Sequence, residues 1–529
     1  MMRRFSGTVG RAVAFSVGTV GLSLGFTSMA AANDQPYPIG ELAGSMGGAA
    51  TALVQDGSAL WYNPAGLGRV RAEGISASVS AYGVQVERTK AFYIDRDSPA
   101  VAANLSGWAT TIFPASLAYV KPLDVGGAGA LHHAVGVSIV VPDFDRHDSS
   151  LNVDDFGFGL NAKERLLESS LWILPGWGGC VGDRLCFGVA IAAVYHSSET
   201  TYDFYLNADS TDAQDQSSKP AALTWQQSGS QIATGVQAGL QWLVAPRWWI
   251  GLSLRSPMRS VNGSGTLLVL DSNSLDQGNT DVRRASDDNL WTDYRLPLHL
   301  RLGAAYEGEQ VRVAFDVNVS LPQSPYRPAL ASGGADAIQP RYLNGVPIGG
   351  PIRLDTSGGS PWQTDLVINA NLGAQYFVTK AVSVQGGLFT DFSGIPDQVI
   401  DDFHPHINRV GLTLGAARRK GRSTTYVAAI ATGGIGHGFG IDNSRNPTTN
   451  YRPKAEAGAL YFNLGASTDF GERDEGEAAK PTSSQPLYDR WWFWTVLGAL
   501  VAGGIVATTL GSLRSTGVPG SDLGSQAAR

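Results

Sequence analysis

Apolar and polar residues alternate with a period of two through most of residues 74–470. Period two is the signature of β-strands, whose successive side chains point to opposite faces. The cleanest run places Leu296, Leu298, Leu300, Leu302, Ala304 and Tyr306 on one face, with Arg295, His299, Arg301 and Gly303 on the other. The next sets Val311, Val313, Phe315, Val317 and Val319 against Arg312, Asp316, Asn318 and Ser320. The pattern predicts fourteen strands, at 74–86, 113–122, 133–142, 169–177, 187–199, 229–243, 248–258, 292–306, 310–320, 364–377, 381–390, 407–417, 424–436 and 456–470. The runs at 169–177 and 424–436 alternate poorly.

Alternation suits both a soluble sandwich with its apolar face inward and a membrane barrel with that face to lipid. Spacing separates the two. Long connections, near 87–112, 143–168, 200–228, 259–291, 321–363, 391–406 and 437–455, alternate with short ones such as Glu307-Gly308-Glu309, Thr379-Lys380 and Ala245-Pro246-Arg247. Bacterial outer-membrane barrels have this asymmetry, with tight turns on the periplasmic side and long loops outside. Soluble sandwiches have more evenly spaced turns. The strands average about ten residues, the length a tilted membrane strand needs. Tyr119, Trp177, Trp242, Trp248, Trp249, Tyr306 and Tyr376 mark strand ends near the short turns, where an interfacial aromatic girdle belongs.

Composition agrees. Charged residues make up only 16% of the 529-residue chain, with 65 glycines, against roughly 25% charged in soluble domains. A Gly-rich secreted β-protein is the alternative. Residues 1–32 read as a signal peptide: Arg3, Arg4 and Arg11, an apolar core Ala12–Phe26, and Ala30-Ala31-Ala32 before Asn33. Its removal takes the formal charge from −7 to −10 by losing three arginines and no acid, which argues against nucleic acid as a partner. The two cysteines, Cys180 and Cys186, suit a local disulfide in an exported chain. Their spacing is not that of a C-x-x-C redox pair, and no further Cys remains for a zinc site.

Ahead of the strands lies a small-residue segment. Gly44-Ser45-Met46-Gly47-Gly48-Ala49-Ala50-Thr51-Ala52 is followed by Asp56-Gly57-Ser58-Ala59-Leu60-Trp61-Tyr62 and then Asn63-Pro64-Ala65-Gly66-Leu67. Near the other end, Asn463–Phe470 has the form of a barrel's closing strand, with Leu460, Phe462, Leu464, Ala466 and Phe470 on one face. Ile395-Pro396, then Arg409 leading into Val410–Gly415, adds a third mark. Over roughly 37–470 this pattern resembles the FadL/TodX family of outer-membrane transporters for hydrophobic compounds. The resemblance implies an all-β, 14-stranded antiparallel transmembrane barrel with an N-terminal hatch in its lumen. It also implies passive uptake of long-chain fatty acids or other hydrophobic molecules, movement of the hatch, and lateral exit through the barrel wall. Gly47, Gly48, Asn63, Pro64, Ala65 and Gly66 are then hatch residues. Pro142, which must break the ladder at the end of the third strand, is a candidate lateral exit or a simple strand end.

The expected division is 1–32 signal peptide, 33–72 hatch, 73–470 barrel, 471–490 polar linker, 491–513 apolar helix and 514–529 tail. The helix is long enough to span a bilayer, and Ala499, Gly503, Ala507 and Gly511 offer a small-residue packing face. The 20-residue linker reaches at most about 70 Å, which favours docking at the outer membrane over anchoring in the inner one. The family pattern does not cover this tail.

A carboxylate ligand needs a cation. Arg255, Arg301, Arg312 and Arg409 fall on the inferred lumen face, with His299 beside them; each suits bidentate pairing with a fatty-acid head group or a lumen salt bridge to acids such as Asp316. His404-Pro405-His406 beside Asp401 and Asp402 has metal-ligand residue types but reads as a polar loop. No GxSxG, HExxH or phosphate loop is present. The expectation is therefore a non-enzyme without cofactor or metal, in the outer membrane of a Gram-negative bacterium. Its expected partners are a hydrophobic small molecule, outer-membrane lipid and the barrel-insertion machinery. The rival readings are a non-transporting hatch barrel in protein secretion or surface assembly, and a structural or adhesive barrel.

Overall fold

The structure is a computed structural model. It describes residues 38–470 except 96–100, 124–131, 143, 156–157, 210–217, 275–279, 331–335, 340, 344–345, 348–351, 356–361, 398–404 and 443–450. The signal peptide, linker, apolar helix and tail lie outside the described residues, as do Asp401, Asp402 and His404. No helix among the described residues is long and apolar enough to cross a membrane.

Fourteen antiparallel strands close on themselves. They are β1 (Gly74–Asp95), β2 (Val101–Leu123), β3 (His132–Val140, with an outer segment Phe144–Asp155), β4 (Phe158–Val181), β5 (Leu185–Asp209), β6 (Ser218–Ala245) and β7 (Trp248–Arg255, with an outer segment Met258–Ser274). Strand β8 runs from an outer segment Thr280–Thr292 through Arg295–Leu296 to His299–Glu307. The rest are β9 (Val311–Ser320), β10 (Val367–Phe377), β11 (Val382–Asp391), β12 (His406–Lys420), β13 (Ser423–His437) and β14 (Lys454–Asp469). Each pairs with its sequence neighbours, and β1 pairs with β14 from Gly74↔Asp469 to Thr89↔Ala455. Closure leaves no sheet edge, which hydrocarbon requires because lipid cannot hydrogen-bond exposed backbone.

Burial follows the pleat. In β7, Trp248, Ile250, Leu252 and Leu254 are exposed while Trp249, Gly251, Ser253 and Arg255 are buried. The same exposed apolar face continues through Val189 and Ile191, Val236 and Leu240, Val313 and Phe315, Leu412 and Leu414, and Leu460, Phe462 and Leu464. A girdle of outward apolar side chains on this scale far exceeds the few hundred Å² of a soluble monomer's largest patch; it is the lipid-facing belt. Tyr119, Trp242, Trp248 and Tyr376 stand exposed at its short-turn rim. Trp249 is a correction: one residue on from Trp248 it faces inward, 7% exposed, as a period of two demands.

The strands run further than their alternation. β4, β5 and β6 contain 24, 25 and 28 residues, against the roughly 9–11 that cross a bilayer. Much of 87–112, 143–168, 200–228 and 259–291, expected as loops, is hairpin that continues the barrel outward; β5 and β6 pair from Leu185↔Trp242 to Asp209↔Ser218. Beyond the bilayer the outer face meets water, so the apolar side moves inward, as buried Tyr202 and half-buried Phe204 against exposed Asp203 show, while backbone pairing persists. Strand β4 alternates poorly for a different reason. Its inward Trp172 and Leu174 pack on the N-terminal segment, so both of its faces are apolar there. Cys180 and Cys186, directly opposed across the β4–β5 turn, are joined by a disulfide.

The β2–β3 ladder is interrupted. β2 and β3 pair up to Ser116↔Val140 and resume at Trp108↔Asp148, with no pairing in between among the described residues. Pro142 lies in this interruption; it is buried, and β3 ends two residues before it.

The belt generates a test. Leu252→Arg, in the middle of the lipid-facing row of β7, should lower folding stability by about 2–4 kcal/mol. Urea titration of refolding into lipid vesicles measures it.

Candidate functional site

The inward face of the belt is polar, and the N-terminal segment fills it. The segment carries α1 (Leu42–Ser45), α2 (Ala59–Tyr62) and a 3₁₀ helix (Pro64–Arg69). Such short helices are not stable alone; the barrel wall supplies their partners. Asp316 of β9 accepts from the backbone N–H groups of Ala50 and Thr51 at 2.8 and 2.9 Å. Gln241 of β6 donates to the carbonyls of Thr51 and Val54 at 3.1 Å. Asn371 of β10 donates to Gly47 O at 2.7 Å, Thr413 of β12 to Ser45 O at 2.8 Å, and Asn463 of β14 to Gly40 O at 3.2 Å. Partners on five strands around the closed sheet place the segment inside it.

Asn63 is fully buried at the centre of this network. Its Nδ2 donates to Thr51 O at 2.8 Å and Leu240 O at 3.0 Å, and its Oδ1 accepts from Ala65 N. Pro64 follows at the start of the 3₁₀ helix, where its missing N–H is no loss. Close approach needs glycine on the wall. A Cβ at Gly239 would land on Asn63 Oδ1, one at Gly188 on Pro64 O, and one at Gly251 on Thr51 O. Gly66 is equally confined, facing Val54 O. Gly47 and Gly48 turn the segment with φ of +66° and +79°, a region that side chains disfavour.

At the short-turn end Arg69 Nη2 donates to both carboxylate oxygens of Glu307 at 2.6 and 2.7 Å, and its guanidinium lies 3.9 Å over the Trp249 ring. Glu41, 3% exposed, receives the Ser58 hydroxyl at 3.3 Å. Burial, reinforced by the charge of Asp56, pushes its carboxyl up to about 8.

The cationic candidates divide. Arg255, His299 and Arg301 gather: Arg255 and His299 are opposed across β7 and β8, and Arg301 Nε donates to His299 Nε2 at 3.1 Å. Arg301 Nη1 also donates to Trp61 O at 2.8 Å, and its guanidinium lies 5.1 Å from the Tyr62 ring, so it touches the segment. Arg255 lies 5.2 Å over Trp172. Arg312 sits apart, 5.1 Å over Phe377 near the short turns, and Arg409 lies 3.9 Å from Asp391. Gln237 of β6 also donates to the carbonyls of Trp61 and Tyr62 at 3.2 and 3.3 Å, and the grip of Asp316, Gln237, Gln241, Asn371, Thr413 and Asn463 on the segment is absent from the sequence-derived site. Their signal there was only a polar residue on the inward parity of an alternating strand. Among the described residues no group of three His, Cys, Asp or Glu suits a metal; His406 Nδ1 bonds the carbonyl of Ile395.

Outward of the segment the interior carries apolar clusters, with buried polar residues such as Glu168, His196, Gln227 and Gln231 among them. Trp61 meets Trp172 edge to face at 5.1 Å, amid Leu174, Val194, Met258, Tyr294 and Leu296. Further out, Tyr202, Trp225, Leu267, Val269 and Leu290 form a second buried cluster on β5 to β8. A ribbon in the β9–β10 connection, Gln323–Tyr326 paired with Trp362–Thr364, buries Tyr326 and Trp362 against Ile395.

A membrane β-barrel that holds its own N-terminal segment inside it, with apolar clusters further out, is the class that the fold and the site define. No protein-family model matches the sequence, and no curated protein matches it either. Among solved structures, a Pseudomonas aeruginosa FadL homologue superposes with a TM-score of 0.52 at 13% identity, over 83% of this chain and 100% of that one. The Pseudomonas putida toluene transporter TodX gives 0.50 at 14% identity, over 82% and 99%. A TodX variant lacking S2 and S3, described as a monoaromatic hydrocarbon channel, gives 0.51 at 14%, over 82% and 100%. The fold of this chain is that of the FadL/TodX barrels.

Two tests follow from the segment's packing. Asn63→Ala leaves Leu240 O and Ala65 N without their partner and should loosen the segment by about 1–3 kcal/mol, read as faster protease nicking within 38–70. For Glu41 the free-chain value is 4.5 and the packed one about 8. The packed segment therefore holds a proton that the released chain has lost, so packing is firmest below about pH 4.5 and weakens as pH rises towards 8. Nicking should accelerate across that window, and Glu41→Gln should flatten the dependence.

Proposed function

We propose that the chain is a member of the FadL/TodX family and acts as an outer-membrane channel for passive uptake of hydrophobic molecules. In this reading 33–72 is the hatch and 73–470 the barrel. The observation that carries it is the apolar interior above the N-terminal segment, from Trp172 and Met258 to Trp225 and Leu290. A pore for polar solutes keeps a wet, polar lumen, whereas an apolar wall desolvates a greasy ligand at about 0.8 kcal/mol per buried CH₂. The FadL homologue and the toluene transporter on the same fold support the same ligand class.

The ligand's route has three stages in this proposal. It enters between the outer hairpins, rests on the apolar wall, and meets the segment at Trp61 and Tyr62. The segment's main chain is held by dispersed hydrogen bonds that can exchange one at a time, while Met46, Leu60, Trp61, Tyr62 and Leu67 are the packed side chains a shift must move. Gly47, Gly48 and Asn63 to Gly66 are the residues whose packing sets that movement. The unpaired stretch of β2 and β3 beside Pro142 is the proposed lateral exit. Among the described residues no ladder joins the two strands there, so a ligand can leave with little loss of backbone pairing. A carboxylate head group, where present, would meet Arg255, His299 and Arg301 first; Arg312 and Arg409 lie away from that trio.

Uptake of labelled long-chain fatty acid and of toluene, by cells carrying this barrel as their sole such protein, tests the proposal against an empty control. Saturable uptake of either should appear and change at least severalfold in Asn63→Ala and on deletion of 37–66. Flux unchanged in both variants would remove the hatch from the mechanism, and absence of uptake would remove the channel.

A further inference from the structure

Among the buried polar side chains between the two apolar clusters, which include Glu168, Ser170, Ser198 and Gln227, one pair stands out. His196 of β5 and Gln231 of β6 are directly opposed in the ladder, so their side chains stand side by side on the inner face, about 5 Å apart at Cβ. They are 1% and 2% exposed. Neither ring nitrogen of His196 makes a hydrogen bond, nor does Gln231 Oε1. Tyr294 stacks flat on the imidazole at 4.1 Å, which fixes the ring plane and leaves its nitrogens at the edge. The facing charged group is Glu168, with Oε1 3.4 Å from His196 Nε2. Buried polar atoms are ordinarily paired, and an unpaired donor or acceptor opposes burial.

We propose that His196 and Gln231 form a hydrogen-bonding subsite for the hydroxyl of an apolar alcohol or phenol, a substrate class within the channel reading above and resting on it. The donor count selects the class. Gln231 Oε1 is an acceptor and needs a donor, and neutral imidazole offers one donor and one acceptor. A hydroxyl donates its one proton to Gln231 Oε1 and accepts from one imidazole N–H, so a single group bridges the two residues. A carboxylate has no proton to give Gln231, and a hydrocarbon offers neither function. The apolar clusters on either side take the rest of such a ligand. A site built around a hydroxyl rejects analogues lacking it more strongly than an apolar pocket can discriminate by size.

Three ligands with one ring separate the possibilities: toluene, 4-methylphenol and 4-methylbenzoate. Equilibrium dialysis of each, radiolabelled, against the full chain in detergent should show 4-methylphenol bound at least tenfold more tightly than the other two. Gln231→Leu and His196→Phe, which keeps the stack on Tyr294, should each erase that preference and leave toluene binding within twofold. Heat-modifiable gel mobility verifies folding, and the milder Gln231→Asn carries the test if Gln231→Leu does not fold. Equal binding of all three ligands, or parallel weakening of toluene and 4-methylphenol in the variants, overturns the subsite and leaves the channel standing. No binding of any ligand together with no cellular uptake overturns both.

Discussion

Every backbone N–H and C=O in the hydrocarbon layer needs a partner within the protein. That constraint makes the sheet close, and closure then sets the second problem. A barrel of this size has an inner face too wide for its own side chains to fill. Here polar inward residues hold a separate stretch of chain in place. Asp316, Gln241, Asn371, Thr413 and Asn463 all bond its main chain. The wall glycines Gly188, Gly239 and Gly251 let that main chain come within contact distance. The polarity of the lumen within the belt is thus matched to the segment that occupies it, and the larger apolar clusters lie further out.

Much of the barrel was readable from the sequence because lipid enforces strict alternation. Within the bilayer one wrong outward residue is costly, so Trp248, Ile250, Leu252 and Leu254 announce their strand and its register. Legibility stopped where that pressure stops. The outer halves of β5 and β6 pair residue for residue to Asp209↔Ser218, yet their outer face meets water, so their alternation runs apolar inward, as in Tyr202 and Trp225, and lacks the outward apolar row that marks a membrane strand. Trp249 was misplaced because an aromatic at a strand end suits a rim as well as an interior; only the one-residue step from Trp248 separates the two.

The candidate site was half legible. Asn63 and Pro64 stood out as a motif, and Arg255, His299 and Arg301 as inward cations on neighbouring strands. The grip of Asp316 on Ala50 and Thr51 was not, because a carboxylate facing the lumen looks the same whether it meets a guanidinium or a pair of amides 265 residues or more away in sequence. His196 and Gln231 were silent for a related reason. Each is one polar residue in an inward row, and only the β5–β6 register shows that they share a position.

The wall holds the N-terminal segment at points met one after another along the chain: Gly40 on β14, Ser45 on β12, Gly47 on β10, Ala50 and Thr51 on β9. Such an arrangement is mechanically anisotropic. Tension applied to the start of the segment loads these attachments in series, each breaking alone as a seam unpicks stitch by stitch. A push along the barrel axis loads them in parallel, and all must yield together. The same set of bonds therefore makes a weak fastening to a pull from one end and a strong one against pressure through the pore.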